Sequence, residues 1–96
     1  MSEEEKPLSL SEVNNYIGEL KDWSLEGNKI IKQYNFKNFK EALDFINKVG
    51  ELSEKHKHHP EIFNSYNLIK LELTTHSANG LTMKDFEVAR EIDGIK

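Results

Sequence analysis

The chain has 96 residues, 36% of them aliphatic or aromatic and 31% charged, with a net charge of -4 and no cysteine. One domain of this size buries roughly 60–65% of the surface its unfolded chain exposes, so the core is modest and self-association is a natural way to cover more apolar surface. The acidic balance argues against nucleic acid as the main partner, and the lack of thiols removes disulfides, thiolate metal sites and cysteine nucleophiles.

Residues 1–6 are mostly charged and read as a frayed tail on a single domain spanning 1–96. The stretch "PLSLSEVNNYIGEL" predicts a first helix, capped by Ser9 or Ser11, with Leu10, Val13, Ile17 and Leu20 recurring at helical spacing. In "WSLEGNKIIKQYNF" the period changes. Trp23 and Leu25 alternate before "EGNK", and Ile30, Tyr34 and Phe36 follow it, which predicts a hairpin turning at Gly27–Asn28. A long helix from about Asn38 to His56 comes next, with Asn38 as cap, Glu41 three residues on, and an apolar stripe of Phe39, Ala42, Leu43, Ile46, Val49 and Leu52. Pro60 stands beyond its end. In "IFNSYNLIKLELTTH" Ile69, Leu71 and Leu73 alternate with Lys70, Glu72 and Thr74, so a second hairpin turning near Asn67 is expected. A loop "SANGL" leads to a last helix capped by Thr82, with Asp85 at the capping-box position and Met83, Phe86, Val88 or Ala89, and Ile92 facing inward.

The order α-β-β-α-β-β-α defines an α+β fold, a four-stranded antiparallel sheet with three helices on one face. No apolar run is long enough to cross a bilayer and no signal-peptide core follows "MSEEEKP", so a soluble cytoplasmic protein is expected. Trp23, Tyr34, Phe36, Phe39 and Phe45 read as core.

Three of the four histidines fall within four positions of "EKHKHHPE". Polar side chains at a helix C-terminus complement its dipole, so surface polarity is one reading. A metal site is a second, but His56 and His58 fall on different helical faces, adjacent His58 and His59 chelate one ion poorly, and no carboxylate triad completes a shell. The third is proton transfer, since an imidazole titrates near neutral pH and can donate and accept within one turnover. Glu54, one helical turn before His58, is placed to orient that ring. His76, at the end of the last strand, would face the cluster if the second hairpin folds back. No serine sits in a nucleophile elbow, which leaves proton transfer without covalent catalysis.

The spacing of "EK" at 54–55, "HHPE" at 58–61, Tyr66, "TH" at 75–76, "GL" at 80–81 and Asp85, together with Trp23, the "EGNKI" turn and "FKNFKEALDFINKV", resembles the pterin-4a-carbinolamine dehydratases over roughly residues 7 to 92. The resemblance implies an α+β domain that forms homodimers or homotetramers. It implies an enzyme that dehydrates 4a-hydroxytetrahydropterin to quinonoid dihydropterin, recycling a tetrahydrobiopterin-type cofactor with no metal and no other cofactor. In the family, two adjacent histidines and a strand-end histidine line the pterin pocket, matching His58, His59 and His76. His58 and His76 would then transfer protons and His59 would chiefly bind. Glu54 would position His58, and Lys57, Thr74, Thr75 and Ser77 would offer polar contacts to the pterin. His56 matches no family role. Ile62 stands where many relatives carry tryptophan, so an aliphatic side chain replaces an aromatic one at the pocket rim. Two other functions remain open: a dimerisation module for a transcription factor, as some relatives are, and a protein acting on another pterin.

Overall fold

The computed structural model describes residues 6–95, so the expected frayed tail lies outside the described residues except for Lys6. Helix α1 spans Leu10–Ile17. Ser9 is its cap: the Ser9 hydroxyl accepts from the Glu12 amide at 3.1 Å, and the Glu12 carboxylate accepts from the Ser9 amide at 2.9 Å. Val13 is buried, but Leu10, expected inward, is 67% exposed at the first position of the helix.

Strands β1 (Ser24–Glu26) and β2 (Lys29–Asn35) form the first hairpin, with Glu26 opposite Lys29 and Gly27 at φ 60° in the turn. A side chain there would be strained, and glycine is not. Strands β3 (Glu61–Ser65) and β4 (Leu68–Leu73) form the second hairpin. Its turn falls at Tyr66–Asn67, as expected. Asn64 braces it by donating to the carbonyls of Tyr66 and Leu68, and Asn67 ties it to Phe36 by donating to that carbonyl at 2.8 Å.

The strands run antiparallel in the order β1-β2-β4-β3. Ile30 of β2 faces Leu73 of β4, and Ile30, Ile69, Leu71 and Leu73 are all fully buried beneath the helices. The alternation read from β4 is therefore the inside-outside pattern of the sheet.

Helix α2 (Phe39–His56) is capped by Asn38, whose side chain accepts from the Glu41 amide at 2.9 Å. Its buried row is Ala42, Phe45, Val49 and Ser53; of the expected stripe, Ala42 and Val49 are fully buried and Ile46 and Leu52 pack against the core. Phe39 and Leu43 sit on its flank, 43% and 41% exposed. Ser53 is accommodated in the core because its hydroxyl donates to the Val49 carbonyl at 2.7 Å, which satisfies that buried group. Helix α3 (Met83–Asp93) has the capping box expected from Thr82 and Asp85, and it buries both Val88 and Ala89.

The last turn of α3 is docked through Asp93, which accepts from the Lys21 amide at 3.0 Å, the Trp23 indole N–H at 2.9 Å and the Lys32 ammonium at 3.0 Å. Lys32 lies over the Tyr34 ring, 5.0 Å from its centroid. Burial pushes the Tyr34 hydroxyl well above the ordinary tyrosine range.

Candidate functional site

Helix α2 ends in a way that places the histidines. Lys57 takes a left-handed conformation, φ 55°, and the amides of Lys57 and His58 donate back to the carbonyls of Glu54 and Ser53 at 3.2 and 3.1 Å. This is the Schellman arrangement, which satisfies carbonyls the helix leaves free. The chain then passes through Pro60 into β3. Because Lys57 breaks the helical spacing, His58 does not lie one turn above Glu54. His59 does: its Nε2 is 2.6 Å from Glu54 Oε2. Glu54 therefore meets His59, not His58 as the helical spacing led us to expect.

His58 turns inward instead, its side chain only 12% exposed, with Nε2 2.6 Å from Oδ1 of the fully buried Asp85. The other Asp85 oxygen accepts from the Thr75 hydroxyl at 2.7 Å and the Thr82 amide at 3.0 Å. Asp85 thus caps α3 with one oxygen and meets a histidine from the end of α2 with the other. Sequence reading identified the capping role, and the histidine contact, 27 residues away, left no local signal.

His76 opens a short 3-10 turn, His76–Ala78, directly after β4. It is exposed, and with His59 it lines a depression of about 180 Å³ whose other walls are Asn28, Lys29, Glu61, Glu72 and Thr74. The structure thus brings His59 and His76 to one depression, with His58 adjacent in sequence but aimed at Asp85. Thr74 donates to the Asn28 carbonyl at 2.6 Å, pinning the first hairpin to the end of β4. Thr75 is buried, and its hydroxyl is engaged with Asp85. Lys57 and Ser77 are exposed beside the cluster. On the far side of His59, Ile62 lines a shallow groove with Ile46, Asn47, Gly50, Glu51 and Glu54. His56 lies apart, its Nε2 2.9 Å from Glu91 of α3.

The wall opposite the histidines carries charge that sequence reading missed. Lys29 Nζ is 2.7 Å from Glu72, and Lys70 approaches the same carboxylate at 3.2 Å. Lys29 and Glu72 sit diagonally across β2 and β4, a pairing visible only once the strand register is known. The hydrogen bond from Lys29 holds the Glu72 carboxyl below its ordinary range, with burial opposing and Lys70 adding to the effect. The same hydrogen bond holds the Lys29 ammonium above its ordinary range. Among the described residues no group of three or more histidines and carboxylates is placed to hold a metal ion, and no helix is long and apolar enough to cross a membrane.

A four-stranded antiparallel sheet backed by three helices, with histidines gathered where α2 and β4 end, defines an α+β domain with acid–base groups at one end of its sheet. The chain belongs to the pterin 4 alpha carbinolamine dehydratase family, whose model matches residues 6–95. A relative from Sulfolobus acidocaldarius, provisionally named a pterin-4-alpha-carbinolamine dehydratase, is 42% identical over 93% of this chain and 98% of its own. A relative from a Cyanothece species with the same provisional name is 49% identical over 88% of each chain. The crystal structure of a transcriptional coactivator/pterin dehydratase from Brucella melitensis superimposes with a TM-score of 0.88 at 36% identity, covering 93% of this chain and 97% of that one.

Proposed function

We propose that this protein dehydrates 4a-hydroxytetrahydropterin to quinonoid dihydropterin in the cytoplasm, recycling a tetrahydrobiopterin-type cofactor by histidine acid–base catalysis. The observation that carries the reading is the meeting of His59 and His76, from separate elements, in one polar depression, in a chain of this family. Loss of water from C4a breaks the C4a–O bond, needs a proton on the leaving hydroxyl and releases the N5 proton. Imidazoles on two sides of a flat ring supply both transfers. In this reading His58 and His76 transfer protons and His59, oriented by Glu54, binds the ring. Lys57, Thr74 and Ser77 offer polar contacts, and Thr75 acts through Asp85. No metal or other cofactor takes part.

The protein acts as a homodimer or homotetramer in this reading. Phe39, Leu43, Ile62 and Tyr66, all at least 40% exposed, lie on α2, the outer strand β3 and its turn, and an open strand edge is otherwise a liability. A second reading, a coactivator module without catalysis, is favoured only by the double name of the Brucella protein. The test is the rate of quinonoid dihydropterin formation for wild type, His58→Ala, His76→Ala and His56→Ala, with and without EDTA. Losses of about 10²–10⁴-fold in the first two variants support the reading, with His56→Ala and chelation leaving the rate unchanged. Equal rates in all four proteins would end it.

A further inference from the structure

Asp85 is the one fully buried carboxylate of the described residues, and its surroundings have a direction. Oδ2 accepts the Thr82 amide at 3.0 Å and stands 2.7 Å from the Thr75 hydroxyl. A carboxylate only accepts, so the single Thr75 proton points at Asp85. The Thr75 oxygen is then free to accept, and the Thr82 hydroxyl stands 2.8 Å from it. The protons run one way, from Thr82 to Thr75 to Asp85. At the other end Oδ1 lies 2.6 Å from His58 Nε2. With two donors already on Oδ2, the ionised form accepts at Oδ1 as well, and Nε2 carries the proton. A neutral imidazole that carries its proton on Nε2 keeps Nδ1 as its accepting atom.

We propose that Asp85, braced by Thr75 and Thr82, is a positioning residue that holds His58 as the Nε2–H tautomer and presents Nδ1 as its proton-accepting atom. The function this serves rests on the dehydratase reading, but the tautomer does not. Three donors from three places in the chain (the end of β4, the cap of α3 and the exit of α2) fix the carboxylate plane, and the carboxylate fixes the ring. A neutral amide in place of Asp85 could donate to a bare Nε2 and select the opposite tautomer, the failure known for the serine-protease triad.

The experiment uses the full chain, labelled with ¹⁵N-histidine, and reads the ring-nitrogen shifts of His58 at neutral pH beside dehydration kinetics. Wild type should show Nε2 protonated and Nδ1 bare. Asp85→Asn should shift population to the Nδ1–H form and lower kcat by at least about 10²-fold. Thr75→Val should lower kcat by about tenfold with KM little changed, within the range of a misplaced acid–base group, and Thr75→Ser should restore it. An Nδ1–H tautomer in the wild type would overturn the proposal, as would a folded Asp85→Asn protein with unchanged tautomer and rate. Should Asp85→Asn fail to fold, the Thr75 pair decides: a Thr75→Val protein as fast as wild type overturns it. A wild-type protein inert towards the carbinolamine would break the dehydratase reading alone, and the tautomer would still decide this one.

Discussion

Two histidine–carboxylate pairs stand side by side at the end of α2, and both measure 2.6 Å. In His58–Asp85 the side chains are 12% and 0% exposed, whereas in His59–Glu54 they are 56% and 79% exposed. Equal distances therefore describe unequal interactions. The outer pair competes with water and salt for both partners, and such pairs contribute about 0–1 kcal/mol. The inner pair has no water to fall back on, and Asp85 has further donors that hold its orientation whether or not the histidine is present. Depth, not distance, separates a persistent contact from a transient one.

The largest difference between the pairs is expected in stability and rate together. Asp85→Ala should cost about 3 kcal/mol by urea denaturation, the scale of opening a buried pair, with the loss of the α3 cap included. Glu54→Ala should change stability by no more than about 0.5 kcal/mol. If the two variants unfold at the same urea concentration, the distinction by depth is wrong. In turnover, His58→Ala should act on kcat, whereas His59→Ala, whose ring lines the depression, should act mainly through KM. Steady-state kinetics of the two variants separate these outcomes.

The bend that divides the pairs is itself testable. A lysine side chain in the left-handed region at residue 57 costs about 1 kcal/mol relative to glycine. Lys57→Gly should therefore raise the melting midpoint, while any rise in KM would report a Lys57 contact with the pterin. A lower midpoint would show that the Schellman turn is not strained there.

The smallest effect is expected at a third pair, Lys29–Glu72, intermediate in exposure. The folded-state carboxyl of Glu72 is held below its ordinary value of 4.5, chiefly by the Lys29 hydrogen bond. Its contribution is therefore present above that value and is lost as the pH falls through the lowered one. Lys29 is raised above 10.5, so its contribution is present below that value and is lost as the pH rises through the raised one. Melting curves of Glu72→Gln should accordingly approach those of wild type in acid and fall slightly below them near neutrality. A constant offset at every pH would exclude the linkage.

The elements were legible wherever a residue's role was local. Asn38 and Thr82 announced their helices because a cap needs only the next few amides, and β4 announced its buried face because side chains alternate. The phase of α2 was less legible. Phe39 and Leu43 are as apolar as Phe45, and only the tilt of the helix across the sheet decides which row goes under. The histidine cluster was legible as chemistry but not as geometry. Placing Glu54 under His58 assumed that helical spacing continued through Lys57, and the left-handed residue there shifts the contact to His59. The partner of His58 was hidden for a different reason. Asp85 already had a complete local explanation as a cap, and its second oxygen meets a residue that only the tertiary fold brings near.

Trp23 is the sole tryptophan of the chain, and its indole N–H is bonded to the last turn of α3 through Asp93. The molecule consequently carries a built-in optical probe of that helix. Undocking of the α3 C-terminus would remove the Asp93 carboxylate from the indole's surroundings and change its emission. The helix whose opening residues hold Asp85 can thus be watched from its other end, in the unmodified protein, while substrate is added.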